Sequence, residues 1–292
     1  METNLLKAII NIDTFHNTNL SNYSENYLIG INIVGAQLEF FLKDALEDAF
    51  NLPQDKKELQ YTDYFSYLGS QNNPPDMIIK GSDAIEVKKS TSYSSSVPLN
   101  SSPPKNKLHV KDIRISNACR QCEEEPWVEK DIFYAMGIVP EEKGKKSQNI
   151  LSKLFFIHGL CYCADHELYN KVHEEFNEAI TEIADHNHYE MADSHELGRL
   201  KRIDPLGRTI FRMRGMWEIE SPFRIFSDYT PNNSANIFEL TALLTQKKYD
   251  QFPLADKKKL EQHKNIEIKK VQILDPNNPA KKIPSVVITL AW

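Results

Sequence analysis

No stretch of the 292 residues stays apolar for the ~18 to 20 positions that a membrane span requires. The first fifteen residues lack the basic segment and apolar block of a secretion signal, because Glu2, Lys7 and Asp13 interrupt their apolar run. A cytoplasmic protein with no membrane partner is expected. Cysteine is scarce as well. Cys119, Cys122, Cys161 and Cys163 fit thiols or metal ligands better than a disulfide framework in such a chain. Net positive charge is missing: 35 basic residues against 41 acidic ones leave −6. That argues against coating nucleic acid through bulk charge and leaves room for a local basic cleft. With 40% hydrophobic residues the chain can bury a sizeable core. Its length is about twice the ~150-residue domain norm. One domain over 1–292 is expected, with a catalytic core at about 30–185 and recognition and C-terminal elements at about 186–292.

Residues 24–50 carry Leu38, Phe41, Leu42, Ala45, Leu46 and Ala49 on one stripe, which predicts an amphipathic helix from Gly35 onward that ends before Asn51 and Pro53. Pro74 and Pro75 make the following polar loop extended. Two short runs at 76–79 and 84–88, parted by Lys80-Gly81-Ser82-Asp83, predict a β-hairpin. Residues 127–139 and 154–162 read as buried strands of a central sheet, with a polar hairpin tip at 141–149 between them. Leu168, Val172, Phe176, Ile180 and Ile183 mark a second helix over 164–184 with an acidic outer face. Alternation in 266–274 and 284–292 predicts two closing strands, and no internal repeat is present. The fold class expected is α/β, a central mixed β-sheet flanked by helices with added recognition and dimerisation elements.

The hairpin carries the informative spacing. Asp76 and Glu86 face each other across adjacent antiparallel strands, and Glu86 and Lys88, two apart, project to one side. Two carboxylates so close repel unless a cation lies between them. Hard oxygen ligands of this kind suit Mg²⁺, and a neighbouring lysine can orient or help deprotonate an attacking water. The competing reading of such a pattern is a solvated strand face, since Glu and Lys are common there.

Pro75-Asp76 and Glu86-Val87-Lys88 resemble the motif of the PD-(D/E)XK nuclease superfamily. A closer resemblance, to NgoPII-type type II restriction endonucleases, rests on residues 65–76, 81–89, 99–108, the Ala118-Cys119-Arg120-x-Cys122 block, residues 127–137 and Arg212-Met213-Arg214-Gly215-Met216-Trp217. It implies a restriction-endonuclease-like core and Mg²⁺-dependent cleavage of double-stranded DNA by a homodimer. It also implies the target GGCC and a cognate DNA methyltransferase as genetic partner. Asp76, Glu86 and Lys88 become the catalytic residues, and Asp76, Glu86 and Val87 the metal-binding positions. Glu39, on the helix before the hairpin, is a further candidate for a supporting or metal-water role against the ordinary reading of a solvated helix glutamate. A structure-specific repair or resolvase nuclease and a non-catalytic DNA-binding regulator are the alternatives. The intact Asp76, Glu86 and Lys88 speak against the regulator.

Residues 90–106, with seven serines and three prolines, have the composition of a flexible linker. The resemblance includes this segment, and Asn100, Ser101, Ser102, Lys105 and Lys107 are expected to contact DNA. Between 196 and 214 the charge inverts: Arg199, Lys201, Arg202, Arg208, Arg212 and Arg214 face only Glu196 and Asp204. Arginine reads guanine bidentately in the major groove, so Arg208, Arg212 and Arg214 are candidates for base reading, with a phosphate clamp the equal alternative. Arg120 and Lys130 are expected to serve DNA. The four cysteines read as buried thiols, because a 38-residue gap between the pairs is no compact zinc ribbon. His158 reads as a core histidine, and His186 and His188 lack a third ligand.

Overall fold

Asn4 accepts hydrogen bonds from the backbone N–H groups of Leu6 and Lys7 and so caps a first helix, α1 (Leu5–Phe15). Its buried Leu5, Leu6, Ile9, Ile10 and Ile12 pack on α2 (Ile33–Glu47), the helix expected from the stripe of Leu38, Phe41, Leu42, Ala45 and Leu46. Residues 24–32, the start of the stretch that carries this pattern, lie outside the described residues. A computed structural model describes residues 2–23, 33–70, 73–140, 149–231 and 233–292. Asn51 and Pro53 do end α2, but the charged run after them forms α3 (Gln54–Tyr64).

The strands in chain order are β1 (Phe65–Tyr67), β2 (Met77–Ile79), β3 (Ala84–Ser90), β4 (Val97–Asn100), β5 (Lys107–His109), β6 (Glu129–Ile138), β7 (Lys153–His158), β8 (Glu190–Met191), β9 (Gly198–Lys201), β10 (Phe211–Met213), β11 (Trp217–Ile219), β12 (Glu239–Thr245), β13 (Ile266–Asp275) and β14 (Asn278–Ala291). Further helices are α4 (Asn117–Arg120), α5 (Gly159–Tyr162), α6 (His166–His186), α7 (Pro222–Ile225), α8 (Gln246–Gln251) and α9 (Leu254–Glu261). The main sheet runs β1-β2-β3-β6-β7-β12-β14-β13, with β5 added beside β6. It is mixed: β3–β6 and β7–β12 are parallel, and the other neighbours are antiparallel. Both faces are buried. On β6, Phe133 and Ala135 join the core under α1 and α2, while Ile132, Tyr134 and Met136 join a second core on the opposite face. This is the mixed α/β architecture expected.

Two local expectations come out differently, a composition reading is overruled, and one strand was not expected. The run 154–162 is a strand only to His158; at Gly159 the chain turns into α5, so Cys161 lies on a helix. A Cβ at Gly159 would lie 2.4 Å from the Asn106 carbonyl oxygen, so glycine is what lets the two backbones pass there. Residues 90–106 are no linker: Val97 and Leu99 are buried, and β4 pairs with β11. The alternation of Val97 and Leu99 decides, not the serine content. The stripe of α6 is not core, because the small sheet β10-β9-β8 covers only part of that helix. Phe176 and Ile183 remain 60% and 62% exposed, and Ala184 alone is counted buried. The strand β12, central in the sheet and buried from Glu239 to Leu244, shows no alternation, although a turn-forming Pro-Asn-Asn-Ser run at 231–234 precedes it, and it was not expected. Most of the expected hairpin tip, 141–148, lies outside the described residues. No helix among the described residues is long and apolar enough to cross a membrane.

Candidate active site

The hairpin β2–β3 forms in the expected register, with Met77 opposite Ile85. Asp76 stands just before β2, and its backbone N–H donates to the Ile85 carbonyl at 3.1 Å. The Val87 N–H donates to Asp76 Oδ2 at 2.6 Å, which fixes the carboxylate across the hairpin. Lys88 Nζ donates to Glu86 Oε1 at 2.6 Å, and the other Glu86 oxygen, Oε2, is buried with no partner among the described residues. Gly69 (φ +83°) lies under this corner, where a Cβ would come within 2.6 Å of the Asp76 carbonyl oxygen. Buried ion pairs brace the turn of the hairpin. Lys248 bridges Asp83 at 2.5 Å and Asp131 at 3.0 Å. Lys130 pairs with Glu123 at 2.7 Å, and Glu123 accepts from the Gly81 N–H.

Electrostatics separate this cluster from a solvated strand face. Burial, with Glu86 and Glu39 adding to it, holds the Asp76 carboxyl well above the usual carboxylate range. Burial also raises Glu39, with Glu86 adding and Lys43 and Lys88 opposing. Burial works against the Lys88 charge, but Glu86, Asp76 and Glu39 outweigh it and keep the ammonium above its ordinary value. The cluster is short of positive charge. The unpartnered Glu86 Oε2 and the strained ionisation of Asp76 are what a divalent cation would relieve, and the donor set is all hard oxygen, so the residues fit such an ion. The Val87 side chain is apolar, so that residue can serve a metal only through its main chain. Among the described residues no cluster of three or more His, Cys, Asp or Glu is spaced to hold a metal. An ion held by Asp76 and Glu86 would need further ligands from outside their carboxylates.

Asp76, Glu86 and Lys88 open into a cleft of about 610 Å³. Asn100, Ser101 and Ser102 form part of its wall, as does Arg214. Part of the expected DNA loop and one expected arginine thus line the same cleft as Asp76, Glu86 and Lys88. Asn100 adopts φ 55°, a left-handed conformation asparagine tolerates, and sits opposite Trp217 in the β4–β11 pair. Arg212 and Arg214 share one carboxylate. Arg212 Nε lies 3.0 Å from both oxygens of Glu196, and Arg214 Nε lies 2.7 Å from Oε1. These bonds hold the Glu196 carboxyl down at about 2.

Other candidates fall elsewhere. Lys105 is buried against Asp112, its N–H bound at 2.7 Å by the Tyr134 hydroxyl, and Lys107 pairs with Glu129. Both line an adjoining cleft. Arg120 donates to the Val110 and Asp112 carbonyls and to Asn117, which ties the 110–117 loop together outside the cleft. Lys130 serves Glu123 and Ser82, not the cleft. Arg208 is exposed in the β9–β10 turn, where its N–H donates to Asp204 at 3.0 Å. Burial pushes the thiols of Cys119, Cys161 and Cys163 up to about 12, the inert state expected of core cysteines. His158 is buried, stacked on Phe133, with Nδ1 3.4 Å from Thr245 Oγ1.

Sequence reasoning missed Lys43, Glu196, Arg114 and His173. Lys43 lies one turn after Glu39 on α2. Burial lowers its ammonium against the opposing pull of Glu39 and Asp76. Its spacing from Glu39 was a usable signal, since i and i+4 share a helix face. Glu196, Arg114 and His173 line the cleft from distant parts of the chain and carry no local signal.

Residues 3–274 match the model of the NgoPII restriction endonuclease family. The type II restriction enzyme NgoPII of Neisseria gonorrhoeae is 37% identical over 286 residues, covering 98% of this chain and 99% of that one. No solved structure matches.

Proposed function

The chain belongs to the NgoPII restriction endonuclease family, type II site-specific deoxyribonucleases, and from that premise we propose that it cuts both strands of GGCC in a Mg²⁺-dependent hydrolysis carried by Asp76, Glu86 and Lys88. The observation that carries the assignment of residues is the corner where Asp76 is bound by the Val87 N–H and Glu86 by Lys88, at the floor of a cleft that also exposes Arg214.

Asp76, Glu86 and the main chain of Val87 would hold the divalent ion, and Glu39 supports them from α2. When bound, that ion supplies Lewis acidity at phosphorus and lowers the pKa of water. The chain's own residues do the rest. The Val87 N–H spends one Asp76 oxygen on the hairpin and leaves the other for the site. Lys88, kept protonated by its carboxylate neighbours, acts as a fixed cation that orients the attacking water and stabilises charge on the phosphoryl oxygens, rather than as a base. Arg212 and Arg214 supply donors suited to guanine O6 and N7. Asn100, Ser101 and Ser102 approach the strand beside the scissile phosphate.

A palindromic target presents each half-site twice, so a twofold homodimer is the natural reader. The exposed stripe of α6, with Phe176 and Ile183 beside an apolar groove formed by Leu200, Ile203, Ile210 and Phe211, supports a seat for the second copy. His173 on the same helix lines the active-site cleft, so a copy seated there brings its own cleft to the same duplex. The genetic partner is a methyltransferase that protects the same site. Digestion of a plasmid of known sequence with Mg²⁺, followed by mapping of the ends, tests the reading. Ends at GGCC support it, and ends at another sequence or at none replace the target.

A further inference from the structure

Beside the active-site cleft lies a second one, of about 500 Å³, and the two share Arg114 and His173 in their walls. The geometry points to this second cleft as a flank-binding groove that takes the sugar-phosphate backbone of duplex DNA beyond the recognition sequence, with Lys111 and Arg114 as its principal cations. The inference rests on the reading of the Asp76 and Glu86 corner as the cutting site, because it is continuity with that corner that makes DNA the ligand.

Charge supports the assignment. The protein carries −6 overall, yet this groove gathers Lys105, Lys107, Lys111 and Arg114 together with His109, His166 and His173. One of its two lining carboxylates is spent, and Glu174 is the other. Asp112 is taken by Lys105 and by the Arg114 N–H at 2.8 Å, and Lys107 is offset by Glu129. Among the described residues the Arg114 guanidinium donates its hydrogen bond to a neutral acceptor, the His195 carbonyl, at 3.3 Å, and no carboxylate lies within ion-pair distance of it. Among the described residues Lys111 has no carboxylate within ion-pair distance. Those two cations are free to exchange water and counterions for phosphate. Shape agrees with the charge. Pro103, Pro104 and Trp217 give the groove stiff walls, and the imidazoles of His109 and His166 pack 4.6 Å apart within it. Its wall carries two carboxylates, Asp112 and the exposed Glu174, against four Lys and Arg side chains, and a concave channel with that excess of cations suits backbone contact rather than base readout.

The test uses the full-length protein and duplexes with one central GGCC, their flanks lengthened stepwise, beside a set with a scrambled centre. Binding is measured with Ca²⁺ in place of Mg²⁺ at salt between about 50 and 200 mM. Wild-type affinity should rise with flank length on both sets. In Lys111→Gln/Arg114→Gln that rise should vanish. Two lost phosphate contacts should flatten the salt slope by about 1.8, so the variant should lose about 12-fold less affinity than wild type across that fourfold salt change. The ratio of central to scrambled affinity should stay unchanged. The charge-preserving Lys111→Arg/Arg114→Lys variant should keep the flank dependence, which separates lost charge from a damaged fold. Retained flank dependence and slope in the Gln variant overturn the inference, and so does a loss confined to central-site discrimination. Failure of the cutting-site reading looks different: Asp76 and Glu86 variants would still cut, whatever the groove does.

Discussion

Glu196 holds Arg212 and Arg214 on one carboxylate, and if these arginines read DNA, replacing it with glutamine should make the enzyme less selective rather than weaker. Arg212, Arg214 and Glu196 together carry +1; Glu196→Gln makes them +2. In the native cluster a phosphate must compete with a carboxylate already bonded at 2.7 to 3.0 Å. Glutamine is a far weaker competitor. One additional phosphate contact steepens the salt slope by about 0.9, which over a fourfold change from about 50 to 200 mM is about 3.5-fold in affinity. Glu196→Gln should therefore bind scrambled duplex more tightly at low salt, with a slope steeper by about one unit, and its ratio of cognate to scrambled affinity should fall. The arginines hold the Glu196 carboxyl down at about 2, so the wild-type restraint should stay constant from pH 5 to 8. Isotherms on both duplexes at three salt concentrations and two pH values read all of this. An unchanged slope together with unchanged discrimination would mean that Arg212 and Arg214 never reach DNA.

Other consequences are as direct. Asp76 binds its proton more tightly in the native chain than unfolded, so without metal its contribution to stability should fall as pH rises above the ordinary carboxylate pKa of about 4. Asp76→Asn should flatten that fall in thermal melts, and added Ca²⁺ should raise the melting temperature of wild type but not of the variant; an equal shift in both would remove Asp76 from the metal site. Lys248→Met leaves Asp83 and Asp131 buried without their cation and should cost about 3 to 5 kcal/mol, read by denaturant unfolding. A loss below about 1 kcal/mol would deny that this pair braces the hairpin. Ile183→Asp should turn a dimer into a folded monomer in light scattering, and a dimer that persists moves the seat of the second copy off α6.

The corner of Asp76, Glu86 and Lys88 was legible because its residues lie within thirteen positions. Period-two geometry alone brings Asp76, Glu86 and Lys88 together, and the Pro and Gly punctuation marks the hairpin. The central strands β6 and β7 were legible from continuous apolar runs, although Gly159 bends the second into a helix for a reason that sits 53 residues away, at Asn106. α1 escaped because a short apolar start was weighed as a targeting signal and not for its 3.6 periodicity, which Asn4 caps. The composition of residues 90–106 points to a linker, the reading set aside for DNA contact; its seven serines describe solubility, while the alternation of Val97 and Leu99 that decides burial was not used. The basic stretch was visible, but its restraint was not, since Glu196 was counted only as a weak opposing charge and proves to bind both Arg212 and Arg214. No sequence spacing reveals that Arg114 and His173, 59 positions apart, face one cleft.

Cleavage of a single GGCC duplex by wild type and by purified Asp76→Ala, Glu86→Ala and Lys88→Ala, with binding followed in parallel in Ca²⁺, tests the central claim most directly. Metal holding and water orientation act in the transition state, while affinity comes from phosphate and base contacts elsewhere. Wild type should cut both strands, and each variant should bind the duplex with near-native affinity yet leave it whole. Full-rate cutting by any one of the three would contradict the account.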